Sequence, residues 1–217
     1  MSVRNTAIAI SDCLYESNNE FEIPNLLLGM QAGKLQLPLV GYGSRRRQSK
    51  ASTIHFYVDD YRFENVWKNP NGILSGCCTA LIEPNTSIAY TTPIAFGLNQ
   101  IYKKRWIARY WQECGLLVYA DLFVSQKFYN FNRMGIPDGY NAFATRGNED
   151  EIYCLEAELE IAQEISGKEI PNLIVYGGGE NVRTFCRKHN LLYIYDLMTE
   201  RNGKKQSGGK NSQSEQN

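Results

Sequence analysis

Six short apolar runs, each ending in a polar or glycine residue, constrain the fold of this chain more than any other feature. They are Ile54–Val58 into Asp59–Asp60, Thr79–Ile82 into Glu83, Leu116–Ala120 into Asp121, Asn141–Ala144 into Thr145–Arg146, Leu173–Tyr176 into Gly177–Gly179, and Leu192–Tyr195 into Asp196. The runs have the length of strands, and segments of helical pattern separate most of them. That alternation reads as parallel strands joined by helical crossovers. The expected architecture is a single α/β domain with a mostly parallel sheet of about six strands and interleaved helices, either open or partly closed into a barrel. In such sheets, sites form outside the carboxyl ends of the strands.

The clearest helix is Glu151–Ser166, where Ile152, Leu155, Leu159 and Ala162 recur at steps of three and four, with Glu156, Glu160 and Glu164 on another face and Gly167 as a stop. The longest is Ile94–Glu113, with Thr92 as N-cap, Pro93 at the first helical position and Gly115 beyond its end. Glu180–His189 reads as a shorter helix, Tyr61–Lys68 as a short helix stopped by Asn69–Gly72, and Phe128–Gly139 as a crossing loop. Residues 1–50 read as an irregular N-terminal segment packing on the core, in which Leu26–Leu28 or Leu37–Tyr42 could supply an early strand. Residues 51–199 hold the α/β domain, and residues 200–217, with no apolar side chain, read as a disordered tail.

Composition narrows the function classes. Lys plus Arg equals Asp plus Glu at 23 each, so no global field draws the chain to nucleic acid or to a membrane surface. No apolar run approaches the ~20 residues of a membrane span, and Ala7–Ile10 is too short for the core of a signal peptide, so a cytoplasmic location is expected. The six cysteines form no C-x-x-C pair and, with only His55 and His189 beside them, offer poor zinc spacing; reduced, mostly buried thiols are expected.

Candidate chemistry gathers at the strand ends. A parallel sheet delivers Asp59, Glu83, Asp121 and Asp196 to one rim, where Asp59, Asp60, Glu83 and Asp121 could transfer protons, and Asp59 with Asp121 could hold a divalent cation such as Mg²⁺. Converging acids need neutralising partners, for which Arg62, Arg146 and Arg183 are available. The alternative for the first cluster is local: Asp60 as an N-cap, and Arg62 paired with Asp59 or Glu83. Gly177, Gly178 and Gly179, followed by Arg183, could cradle a phosphate at a helix start, or could simply serve a tight turn needing positive φ. Arg45, Arg46 and Arg47 form a basic loop that could contact the phosphates of nucleic acid or could simply be solvated. Lys103 and Lys104 sit among aromatic residues on the long helix, a pattern used both for nucleic-acid binding and for packing with snorkelled charges.

These residues resemble a known family. Phe56-x-Val58-Asp59-Asp60-Tyr61-Arg62-Phe63-Glu64-x-x-Trp67-x-x-Pro70 is similar to the opening motif of DUF4417, a domain of unknown function found in bacteria and phages. The likeness continues through Pro84-Asn85-x-Ser87, Tyr90 and Pro93, then Asn99-x-x-Tyr102-x-x-Arg105-Trp106 and Tyr110-Trp111-Gln112-x-x-Gly115, to Gly135-Ile136-Pro137-x-Gly139 and Tyr176-Gly177-Gly178. It spans residues 54–180 and departs from the family pattern twice. Asn85 stands where the family usually has Asp, and Asp121-Leu122 where it usually has Ser-Trp. The resemblance implies a setting among phages, plasmids and other mobile elements, and implies no reaction. The expected function is binding of a phosphate-bearing ligand, nucleotide or nucleic acid, at the rim. The alternative is a non-enzymatic accessory protein that binds DNA or a host protein.

Overall fold

A computed structural model of the chain describes residues 14–43 and 45–196. The segment expected to be disordered, residues 200–217, lies outside the described residues, as does Cys13.

Among the described residues, seven strands form one sheet: β1 Leu39–Gly41, β2 Thr53–His55, β3 Ala80–Ile82, β4 Leu117–Asp121, β5 Phe143–Arg146, β6 Leu173–Tyr176 and β7 Leu192–Ile194. Their spatial order is their chain order, and every pairing is parallel. The strand beyond the expected six is β1. It comes from the Leu37–Tyr42 run, while Leu28–Met30 makes a 3₁₀ turn.

Each new strand adds beside the last in a constant direction, so the right-handed twist accumulates and the sheet curls. Side chains meeting across the curl show how far this goes. The rings of His55 on β2 and Tyr176 on β6 lie 4.4 Å apart, although three strands separate them in the sheet. Tyr57, just past β2, stacks on Tyr176 at 5.5 Å. The result is a half-barrel with a cleft of about 680 Å³ bordered by β1 and β7.

Among the described residues, five α-helices accompany the sheet: α1 Arg45–Gln48, α2 Ile94–Glu113, α3 Tyr129–Arg133, α4 Ile152–Ser166 and α5 Gly179–Lys188. The outward face of β2 and β3 packs on α2, with Ile54, Phe56 and Leu81 against Trp106, Ile107 and Trp111. Leu155, Leu159, Ala162 and Ile165 of α4 join the larger core with Phe143, Ala144 and Leu173. Gly167 ends α4 in the left-handed conformation that its sequence position predicts.

Several local expectations are corrected. Tyr61–Lys68 is two 3₁₀ turns, Asp60–Arg62 and Glu64–Trp67, and the Phe128–Gly139 stretch contains α3. Arg45–Arg47 lies in the single turn of α1 rather than in a loop. Pro93, not Thr92, takes the cap position of α2, because the Thr92 hydroxyl instead accepts a hydrogen bond from the Ala89 amide. Of the described cysteines only Cys78 and Cys186 are buried; Cys77 and Cys114 are exposed.

The largest correction concerns α2. Residues 104–112 are buried without interruption, so Lys104 and Arg105 do not snorkel to water. The sheet covers one side of the helix and the N-terminal segment covers the other. The Gln112 amide donates to the Leu27 and Met30 carbonyls, the Arg109 guanidinium donates to the Asn25 carbonyl, and Tyr15 packs on Trp106. No helix among the described residues is long and apolar enough to cross a membrane.

Candidate functional site at the carboxyl rim

Beneath the rim lies a buried polar lattice joining β3, β4 and α2. The Lys104 ammonium donates to Asp121 Oδ2 at 3.1 Å and to the Asp121 carbonyl at 3.0 Å. Arg105 donates to Glu83 Oε1 at 2.7 Å and to the Asn132 carbonyl at 2.7 Å. The two ion pairs are tied together, since the Asp121 amide donates to Glu83 Oε2 at 2.9 Å. Burial pushes the Glu83 carboxyl up, against the pull of Arg105 and Lys104. All four side chains are at most 1% exposed, so each charge depends on its partner.

The remaining lone pairs of Asp121 are also taken. Tyr57 donates its hydroxyl to Oδ1, the Phe123 amide reaches Oδ1, and Asn85 donates to Oδ2 at 3.1 Å. Asn85 and Asp121 are therefore hydrogen-bonded to each other. An aspartate at position 85 would set a second carboxylate against Asp121, whereas the asparagine amide donates to it.

This geometry does not suit a cation at Asp59 and Asp121. Asp59 is exposed, Asp121 is sealed by four donors, and among the described residues no three His, Cys, Asp or Glu side chains gather as a metal site would need. Asp60 is exposed and accepts from the Ser87 amide and hydroxyl, both at 3.1 Å, which fastens the loop after β2 to the loop after β3. Asp60 does not act as an N-cap, and Arg62, exposed beside Gly43, forms no ion pair with Asp59 or Glu83. Glu83 and Asp121 are brought together; Asp59 and Asp60 stand apart from them on the surface.

Above the lattice the rim opens into two cavities. One, of about 520 Å³, lies over the ends of β3–β5 and is walled by Tyr90, Phe123, Gln126, Tyr153 and Glu158. The other, of about 400 Å³, is lined by Tyr57, Tyr176, Gly177–Gly179 and Asp196. Arg146 and Asn148 border both. Arg146 is the last residue of β5, exposed, and in no ion pair among the described residues. Below it, Glu158 is 1% exposed; Thr145 donates to its Oε2 at 2.6 Å, and its Oε1 has no hydrogen-bond partner among the described residues. Burial pushes this carboxyl well above its ordinary value, with the Thr145 hydrogen bond opposing.

The glycine loop serves packing. Gly177, Gly178 and Gly179 all have positive φ, of +66°, +95° and +86°, which explains their residue type. The space around Gly177 and Gly179 is filled by the Asp196 and Glu149 carboxylates, and Glu149 Oε1 accepts the Asn181 amide at 3.3 Å. The amides that open α5 thus face a carboxylate of the chain itself. Arg183 pairs with Glu180 at 3.1 Å and lies over the Tyr195 ring. Gly147 packs directly on this loop: a Cβ there would overlap the Gly177 carbonyl and come within 2.7 Å of Val182 Cγ1. Gly147→Ala is expected to destabilise the fold by about 2 kcal/mol, as overpacking does. Urea denaturation measures this as a lowered midpoint at constant slope.

A family model described as "Domain of unknown function (DUF4417)" matches residues 15–180. The chain belongs to this family. The DUF4417 match starts well before the residues that carry the motifs, consistent with an N-terminal segment built into the covering of α2. Similar proteins include the "Gene 1 protein" of Mycobacterium phage D29, 26% identical over 196 residues, which are 85% of this chain and 69% of that protein. Another is the "Gene 1 protein" of Mycobacterium phage L5, 29% identical over 132 residues, 58% of this chain and 56% of that one. This DUF4417 chain therefore spans only part of either phage relative. No solved structure matches it significantly.

Proposed function

We propose that this chain binds a phosphate-bearing ligand of nucleotide size at the carboxyl rim. Arg146 carries this reading: an exposed guanidinium with no ion-pair partner among the described residues, standing between two cavities. A guanidinium is suited to bidentate phosphate contact. The 520 Å³ cavity beside it falls within the range of small-molecule sites. Tyr90 and Tyr153, 73% and 57% exposed, offer ring faces to a base. Gln126 and the Oε1 of Glu158, which has no hydrogen-bond partner among the described residues, offer hydrogen bonds to it. The Glu149 and Asp196 carboxylates lie on the glycine wall and direct a phosphate to the Arg146 side.

Calorimetric titration with nucleoside 5′-monophosphates and the matching nucleosides tests this. The nucleotide is expected to bind about tenfold or more tighter than the nucleoside, since a hydrogen bond to a charged group contributes about 1.5–3 kcal/mol. Arg146→Gln is expected to erase that difference while leaving stability within about 0.5 kcal/mol, as exposed substitutions do. Equal binding of nucleotide and nucleoside, or no binding of either, would overturn the assignment.

A further inference from the structure

The 520 Å³ cavity adjoins a third one. A hollow of about 310 Å³ is lined by Tyr61, Trp67, Phe96 and Lys103, and Ser87 borders both. The Asp60–Ser87 hydrogen bonds fix the wall between them. Six aromatic side chains in the described chain are substantially exposed: Phe21, Tyr61, Tyr90, Phe96, Tyr153 and Tyr195. Four of these six stand on the walls of these two adjoining hollows. Rings left in water on one rim signal a surface that stacks on something.

The cations are placed among the rings. Lys103 Nζ sits 4.6 Å from the centre of the Trp67 ring. Burial lowers its pKa, against the opposing charge of Glu64. Lys127 donates to the Thr92 carbonyl at 2.7 Å and to the Tyr90 carbonyl at 3.2 Å, which holds the Tyr90 loop in place. Arg146 closes the row. Of the nearby acids, Asp60 is engaged by Ser87, Glu64 faces Lys103, and Glu151, on the wall of the larger cavity, accepts from the Asn148 amide and the Tyr153 hydroxyl. Separate aromatic platforms divided by polar residues, with cations between them, suit a strand of unpaired bases better than a protein face, which would bury one continuous apolar patch.

We propose that the carboxyl rim is a path for single-stranded nucleic acid, with successive bases stacking on Tyr61, Phe96, Tyr90 and Tyr153 and backbone phosphates meeting Lys103 and Arg146. The Arg146 end rests on the nucleotide reading above; the Lys103 end stands on its own observations.

The test is fluorescence anisotropy of labelled dT12 with the full chain, beside titration of dTMP. The 12-mer is expected to bind at least tenfold tighter than dTMP, and to weaken as salt rises. Phe96→Ala and Tyr61→Ala are each expected to weaken dT12 about fivefold or more, from the stacking lost per base, with dTMP affinity unchanged. Lys103→Gln should flatten the slope of log affinity against log salt by about 0.7. These side chains are exposed or half-buried, and unchanged melting temperatures confirm that the variants fold. If dTMP binds but dT12 binds no tighter, the path is overturned and the nucleotide site stands. If dT12 binds in a Phe96-dependent way while dTMP does not, the path stands and the mononucleotide site is overturned. If neither binds, both are overturned.

Discussion

Replacing Lys104 with methionine is expected to lower the free energy of unfolding by about 3–5 kcal/mol, because it removes one partner of a buried ion pair and leaves the other without a counter-charge. Lys104 and Asp121 are 1% and 0% exposed and 3.1 Å apart, and the ammonium also caps the Asp121 carbonyl. The Tyr57 hydroxyl, the Asn85 amide and the Phe123 amide remain as donors to the carboxylate, but none of them carries charge. For a domain of this size the loss corresponds to a melting-temperature drop of roughly 10 °C. The double substitution Lys104→Met with Asp121→Asn removes both charges and is expected to recover more than half of the loss. That non-additivity is the mark of a direct interaction. Equilibrium denaturation of the two single variants and the double variant measures it. A loss below about 1 kcal/mol for Lys104→Met, or strict additivity, would show that the lattice does not couple the helix to the sheet.

Acid is expected to weaken the fold through His55. This side chain is 3% exposed, packed between Tyr57 and Tyr176, and burial pushes its pKa down to about 4, with the Arg146 charge adding to the shift. Its Nδ1 accepts the Tyr57 backbone amide at 3.2 Å, so protonation at that nitrogen would break a buried hydrogen bond. Since the folded value lies below the ordinary 6.5, the unfolded chain binds the proton first. The contribution of His55 is complete above pH 6.5 and is lost as pH falls towards 4, amounting to about 3 kcal/mol at the bottom of the window. The raised carboxyls of Glu83 and Glu158 act in the opposite sense, weakening the fold as pH rises above their unfolded values. The measurement is therefore a difference: stability of the wild type minus that of His55→Asn, whose amide oxygen can still accept the Tyr57 amide. This difference should shrink by about 3 kcal/mol between pH 6.5 and pH 4. Parallel profiles would contradict the account.

Much of the frame was legible because strand ends announce themselves. The residues that end the strands, from Glu83 to Gly177, mark the carboxyl rim, and Ile94–Glu113 has the same bounds in the structure as in the sequence pattern. β1 was ambiguous, since three half-buried residues carry no period. The burial of Lys104 and Arg105 was hidden for a different reason. The segment that covers their helix comes from about 85 residues earlier in the chain, beyond any local periodicity.

The site was less legible. Grouping acids by strand end correctly brings Glu83 and Asp121 together, but it cannot show that they neutralise Lys104 and Arg105 rather than a ligand. Arg146 was visible as one of three arginines, and only the geometry shows that it lacks an ion-pair partner among the described residues while Arg183 has Glu180. Glu158 carries a signal in the sequence itself. It lies three residues after Leu155 and four before Ala162, which places a carboxyl on the apolar face of α4.

The most direct test of the rim as a nucleotide site is a crystal structure of the chain with a bound nucleoside monophosphate. The phosphate is expected within hydrogen-bonding distance of the Arg146 guanidinium, and the base against Tyr90 or Tyr153. A nucleotide seated instead in the cleft between β1 and β7, or at the Gly177–Gly179 wall away from Arg146, would contradict this reading.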